Sequence, residues 1–541
     1  MKRPRLRRRS PRLPVIVLLA AALGAAAWQA RIQEHRGTAA AGEVSAADAA
    51  GPASGMPAVP GTGAVASTWY CAAGTGDAGG MADHSVTVFN PGDKGVGVTV
   101  TVYAGVLASS SPTTAEAVEA PPLAPPPAAR GVLLPGRGHV ELRLGDLVPA
   151  ALVAALVEAD GGPVAVEHRV TGPHGVDVGP CASATAPVWH LASGATTRDA
   201  RDVLVLFNPF PTDAIVDISF DTDAGSREPV RFQGFPVAAG TVVGVDVGDD
   251  VAREPQVSAT LRTRAGRVVA ERLQEFDGSL GPEGLAVALG VPDASTAWVF
   301  ADGAVDDGRT ERIVVYNPGG ERAEVEVRVE PTSDEPTPAP QPFRLSIRAG
   351  TFAVVDYGAE DRVVSGVEHA TIVRSANGVP VVAERVTTHA GAPAGTDDGE
   401  GDGDGEGDAG GEGGAGGDVA VGPGAVAAAT RWAFPSSVQG EDAGVRFVVF
   451  NPDPERPVSV TLLAMVGGRT GEASSASDVE VPAGGRVSLT GDAAGAAWVV
   501  ESEAPVVVER AVLGEDGLRL ATGPGIPGVE GAVPLGRMLG G

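Results

Sequence analysis

The chain has 541 residues, more than one hydrophobic core usually accommodates, since cores rarely grow past ~250–300 residues. Its formal charge is −28, and the first thirteen residues carry seven Lys/Arg and no acid, so the remainder sits near −35. Nucleic-acid binding needs a basic footprint that displaces counterions, and this body excludes it. Hydrophobic residues make up 43%, rich in Val and Ala, with 76 Gly and 44 Pro, the composition of many short strands punctuated by turns.

Residues 1–13 (MKRPRLRRRSPRL) form a basic cytoplasmic flank, and 14–30 an apolar stretch. That order is an export signal. Its length lies between a spanning helix, which wants ~20 residues, and a cleaved h-region. Two readings stay open. Trp28 as an interfacial anchor favours an uncleaved signal anchor, with the protein held in the cell membrane by one N-terminal segment and its body outside the cytoplasm. Ala25-Ala26-Ala27 as a cleavage site favours secretion. Residues 31–66 are rich in Ala, Gly, Pro, Ser and Thr without periodicity and read as a flexible tether.

Three landmarks then recur four times, in the same order. A tryptophan opens each unit (Trp69, Trp189, Trp298, Trp432). An apolar strand ends in aromatic-Asn-Pro at Asn90, Asn208, Asn317 and Asn451, with Trp-to-Asn spacings of 21, 19, 19 and 19. An apolar run closes on Glu167, Glu271, Glu384 or Glu509, each followed by His or Arg. Asn can bond the backbone that follows it and Pro withholds an N–H, so the pair reads as a strand stop and turn. The Glu-Arg or Glu-His pair reads as structural: neighbouring strand residues face opposite ways, so one member shares the side of the buried valines. A Gly turn and further alternating strands lie between the second and third landmarks, giving roughly seven strands per ~100 residues. The expected fold is all-β: four tandem β-sandwich modules of immunoglobulin-like size at 69–185, 189–293, 298–395 and 432–527, behind the N-terminal signal or transmembrane segment. A propeller is disfavoured, because a blade needs only ~40–50 residues.

The W-x-x-A-x-G start, the Asn-Pro strand end and the P-V-V-A-E-R close resemble tandem extracellular repeats of actinobacterial secreted or membrane-anchored proteins, grouped as a family of unknown function. The resemblance is best in units two and three (Ala192-Ser193-Gly194, Ala301-Asp302-Gly303), and unit four departs with Pro435-Ser436-Ser437. It implies an envelope location and carries over no catalytic residue.

Residues 396–429 begin with an acidic, Gly-rich run and read as a linker between units three and four, and 528–541 read as a C-terminal tail. The two cysteines, Cys71 and Cys181, lie on the opening strand and after the closing strand of unit one, which brings them within bridging range and predicts a disulfide. The eight histidines form no metal-ligand spacing, and no nucleophile elbow, P-loop or dinucleotide fingerprint is present. The expectation is therefore no enzyme, cofactor, metal site or small-molecule substrate. Two functions compete: an envelope-associated structural or interaction protein, anchored through its N-terminal segment, or an accessory protein binding a cell-wall glycan or peptide. The scarcity of aromatics for sugar stacking favours the first.

Overall fold

A computed structural model describes residues 55–77, 79–108, 125–332, 337–389, 418–436, 444–472, 476–491, 493, 495–513 and 519–539. The basic flank, the apolar stretch 14–30 and most of the acidic run lie outside them. Among the described residues no helix is long and apolar enough to cross a membrane.

The protein is all-β, in several sheets, and each repeat uses the same strand plan. One sheet starts from the tryptophan strand. In repeat three its order is Ala297–Gly303, Glu368–Ser375, Ala323–Thr332, Phe343–Ile347. The second sheet runs from the strand after the Gly turn, through the Asn-Pro strand and the Glu strand, to a closing strand. In repeat three these are Thr351–Asp356, Arg309–Asn317, Val382–His389 and Asp418–Pro423. The same order recurs as His139–Arg143, Asp83–Phe89, Ala165–Gly172, Gly175–Pro180 in repeat one, and as Thr241–Asp246, Ala200–Asn208, Val269–Asp277, Glu283–Leu289 in repeat two. In repeat four it is Arg486–Gly491, Gly444–Phe450, the second half of Ala497–Leu513, and Arg519–Pro524.

Sequence alternation explains the first kind of sheet. Ala323, Val325, Val327 and Val329 are buried, while Glu324 is exposed and Glu326 and Arg328 are half-buried, so one face meets the core and the other is more open. The second kind is different. Val203 to Phe207 are buried without a break, as are Ile313 to Tyr316 and Phe447 to Phe450, because these strands are covered on both faces. One cover is the repeat's own first sheet; the other is the preceding repeat. The core of repeat two includes Ala72, Leu152 and Ala154 from repeat one. Repeat three takes in Ala192, Ala286 and Val291 from repeat two, and repeat four takes in Ala297, Val299 and Ile372 from repeat three. The core of repeat one takes in Ala433, Met465 and Val499 from repeat four, so the series closes into a ring.

The four closing strands meet in the middle, each beside two others. Gly284 permits one of these approaches, since a Cβ there would sit 2.5 Å from the Val419 amide nitrogen. Repeats one and two are further joined by a parallel pairing of Gly105–Ala108 with Val242–Val245, an exception to the antiparallel plan.

Four expectations change. Each repeat ends in a closing strand, which the expected count of seven omits. In repeat three it follows the acidic run, with Asp418 in register opposite His389. That run is therefore an insertion in a hairpin of repeat three, and the expected linker 396–429 gives way from residue 418 onward to the closing strand and the next tryptophan strand, Ala427–Phe434. The expected tether through residue 66 is packed from Gly55: Val59 donates to Pro527 O (2.8 Å) and accepts from Val529 N (3.0 Å), and Ala58 donates to Ser183 Oγ (3.2 Å). The expected tail docks too, with Leu535 buried and its N–H on Val426 O at 2.9 Å. The N-terminal strap bridges repeat four and repeat one, the seam that the chain does not otherwise join.

Closure makes a direct prediction. Cleavage at a protease site engineered into 396–417 leaves the two fragments together on size exclusion, and they separate only in denaturant. Elution of repeat four as a free folded fragment in native buffer would refute the ring.

Candidate functional site

The asparagine landmarks are turn clamps. Each is fully buried, and each Nδ2 donates to a carbonyl four or five residues on: Lys94, Thr212, Glu321 or Arg456, at 2.7–2.9 Å. Each also donates across to the strand entering the Gly turn, at Pro135, Val237, Ile347 or Pro482. Each Oδ1 accepts the N–H two residues ahead. A side chain with both a carbonyl and an amide is needed to do this, which is why Asn recurs. The tryptophans are core: Trp189, Trp298 and Trp432 donate Nε1–H to Val268, Val381 and Val506 O, three residues before the glutamate of their own repeat. Trp69 is equally buried but its Nε1 has no partner.

The glutamate and the residue after it form the junctions. Strand geometry sends neighbours to opposite faces, and here both faces are buried, so Glu and Arg point to different neighbouring repeats. Every glutamate reaches back to the loop after the preceding tryptophan. Glu271 accepts the N–H groups of Ala72 (3.0 Å) and Ala73 (2.7 Å). Glu384 accepts those of Ala192 (2.9 Å) and Ser193 (2.7 Å). Glu509 accepts that of Asp302 (3.0 Å), and Glu167 accepts that of Ser436 (3.0 Å), from repeat four, which completes the circuit. Three of the four basic residues reach forward to the glutamate of the next repeat. Arg385 meets Glu509 at 3.0 Å, Arg510 meets Glu167 at 3.1 Å, and His168 lies 3.7 Å from Glu271. Arg272 bonds Asp202 of its own repeat at 2.9 Å and exerts its charge on Glu384. Both members of each pair are buried, and the N–H donors to each glutamate belong to another repeat.

Burial raises the Glu271 carboxyl to about 8 against the pull of the two amides, and raises Asp202 to about 6 against the pull of Arg272. Burial also raises Glu384 and Glu509, with Arg272 and Arg385 opposing it. His84 is lowered to about 4 by burial, and His168 falls well below the usual imidazole range through burial and the neighbouring His84.

Cys71 and Cys181 form the expected disulfide, with Cα atoms 4.7 Å apart. The corresponding positions in repeats three and four pair a phenylalanine with a glycine. A Cβ on Gly424 would sit 2.9 Å from the Phe300 ring, and one on Gly525 would sit closer still to Phe434. An aromatic ring lying over a glycine thus occupies the place of the disulfide, and Arg385 and Arg510 stand over those rings at 5.4 and 5.5 Å.

Beside the N-terminal strap is a cavity of about 290 Å³ lined by Met56, Pro57, Ser183, Thr185, Pro187 and Pro292 among others. Asp293 is the ionisable group of its lining. No group of three or more His, Cys, Asp or Glu among the described residues is placed to hold a metal ion.

Two solved structures are similar over short stretches. The Anabaena sensory rhodopsin transducer is 24% identical over 17% of this chain and 83% of its own, with a TM-score of 0.15. A structure titled "Crystal Structure of Thermotoga maritima 1070" is 16% identical over 18% of this chain and 83% of its own, with a TM-score of 0.16. Likeness at these scores carries no argument. No curated protein matches the chain. A match to the "Family of unknown function (DUF5719)" runs over residues 164–491, from the Glu strand of repeat one to the strand after the Gly turn of repeat four. That is more than half of the chain, and the protein belongs to the DUF5719 family.

Proposed function

We propose that the protein is a non-catalytic, envelope-associated structural or interaction protein, carried at the membrane by residues 14–30 with its body outside the cytoplasm. On this reading each repeat is a β-sandwich module of immunoglobulin-like size, and the four modules form one rigid ring rather than a string. The observation that carries it is the closed circuit of Glu167, Glu271, Glu384 and Glu509. The residues with the most chemical capacity are spent on backbone amides of the preceding repeat, so they serve assembly. The disulfide fits an oxidising compartment. The alternative, an accessory protein for a cell-wall glycan, is weakened because the five described tryptophans are all buried and offer no stacking platform.

Fractionation tests it. The full chain sediments with membranes, and protease added to intact cells degrades the body. Recovery in the cytosol, protected from protease, would overturn the proposal.

A further inference from the structure

The four junctions share one design, but the residues in it differ in charge. Six residues before each landmark asparagine stand His84, Asp202, Glu311 and Val445; the residue after each glutamate is His168, Arg272, Arg385 or Arg510. Three junctions therefore set a guanidinium near the capped glutamate. The first sets an imidazole there, backed by a second imidazole.

Hydrogen-bond roles at that junction are constrained from one end. Val153 O can only accept, so His84 Nδ1, 3.0 Å away, carries a hydrogen. A neutral His84 then presents a lone pair on Nε2, and His168 Nδ1, 3.0 Å from it, must donate. His168 Nε2 is left with a lone pair and no partner. Glu271 Oε2, which already accepts the Ala72 and Ala73 N–H groups, lies 3.7 Å from it, and Glu271 Oε1 has no partner. Two fully buried polar atoms, Glu271 Oε1 and His168 Nε2, are thus left without partners, and a proton on the carboxyl removes the charge that such a site cannot solvate. A carboxylate here would be a buried charge without a cation, which is costly.

We propose that Glu271 is a carboxylic acid in the native ring, lying against the neutral His168–His84 pair, so that the first junction carries no charge and loosens when the Glu271 proton leaves. The groups facing Glu271 are His168 and, behind it, His84; the loop gives Glu271 the N–H groups of Ala72 and Ala73, and the Ala73 backbone also bonds His168. No charged side chain enters the balance on Glu271, which is set by burial and those two amides. The nearest charge on its own strand, Arg272, points to the opposite neighbour and is held by Asp202.

The direction of the pH effect follows. A carboxyl held near 8 in the fold, against about 4.5 unfolded, contributes stability that is complete below ~4.5 and lost as pH rises toward 8. The two histidines, lowered from 6.5, contribute stability that is complete above ~6.5 and lost as pH falls toward 4. The junction is therefore firmest near pH 6.5 and weakens on both sides.

Glu271→Gln is the test variant, since its amide keeps an oxygen for Ala72 and Ala73 and, like the acid, carries no charge. The infrared difference spectrum between the native protein and this variant shows a protonated-carboxyl band at pH 6 that fades with a midpoint near pH 8. Between pH 6.5 and 8 the native folding constant falls by about tenfold per pH unit relative to the variant. Installing the guanidinium of the other junctions, in His168→Arg, converts the band to that of a carboxylate at pH 6. A native carboxylate band at pH 6, with its partner proton on His84, would overturn the proposal. So would parallel pH profiles of native protein and Glu271→Gln.

Discussion

Replacing Glu509 with alanine destabilises the ring by about 3 kcal/mol, the low end for a broken buried ion pair. Glu509 is fully buried; it accepts the Asp302 N–H and the Arg385 guanidinium, both at 3.0 Å. Truncation strands both donors, and Arg385 is too enclosed to recruit bulk water. The cost sits at the low end because Asp302 and Glu311 also act on Arg385. The comparison with Glu271 makes the prediction specific. Glutamine at 271 retains the hydrogen bonds of a neutral acid and costs little near pH 7. Glutamine at 509 retains the acceptor for Asp302 but removes the negative charge, so most of the penalty remains. Denaturant midpoints for the three variants decide this, and equal costs for the two glutamine substitutions would show that the junctions do not differ in ionisation.

The landmarks were legible in the sequence because each is a local solution repeated four times. Asn before Pro announces a turn wherever it stands, and an opening tryptophan spaced 19 residues from it announces a strand. Ring closure was not legible in the same way. Whether stacked repeats form an open string or a closed circle depends on the rotation between neighbours, and no local pattern states that angle. One signal was present: VLVLF, IVVY and FVVF are unbroken apolar runs, which mark strands covered on both faces. A two-sheet module standing alone needs to cover only one of them.

The closing strand was hidden for a different reason. Asp418–Pro423 follows a long acidic run, and six residues with two Gly/Pro at their end are a weak strand signal. Its counterparts show what would have exposed it, since Val178-Gly179-Pro180, Val421-Gly422-Pro423 and Thr522-Gly523-Pro524 are a fourth landmark. The strap at 55–62 has no such pattern. It is held mainly by backbone hydrogen bonds to Pro527 and Val529 and by Glu530 beneath Thr62, which side-chain patterning does not reveal.

Removing the disulfide by Cys71→Ala with Cys181→Ala lowers stability by about 4 kcal/mol, near the chain-entropy value for a loop of this size. The bridge spans 110 residues, and both cysteines are fully buried. Its position adds a second effect. Cys71 immediately precedes the Ala72 and Ala73 amides that hold Glu271, so freeing it loosens the first junction as well as the first repeat. Repeats three and four manage the same position without sulfur, by laying Phe300 over Gly424 and Phe434 over Gly525. The double substitution Cys71→Phe with Cys181→Gly transplants that arrangement. It supplies apolar contact in place of the cross-link and recovers part of the loss, roughly 1–2 kcal/mol for burying one more aromatic side chain. Thermal melts of the native protein, the reduced native protein and the two double variants separate the contributions. The reduced protein and the alanine pair melt together if the cross-link itself is what stabilises, and the Phe/Gly pair melts above both. A Phe/Gly pair less stable than the alanine pair would mean that repeat one does not share the packing of repeats three and four at this position.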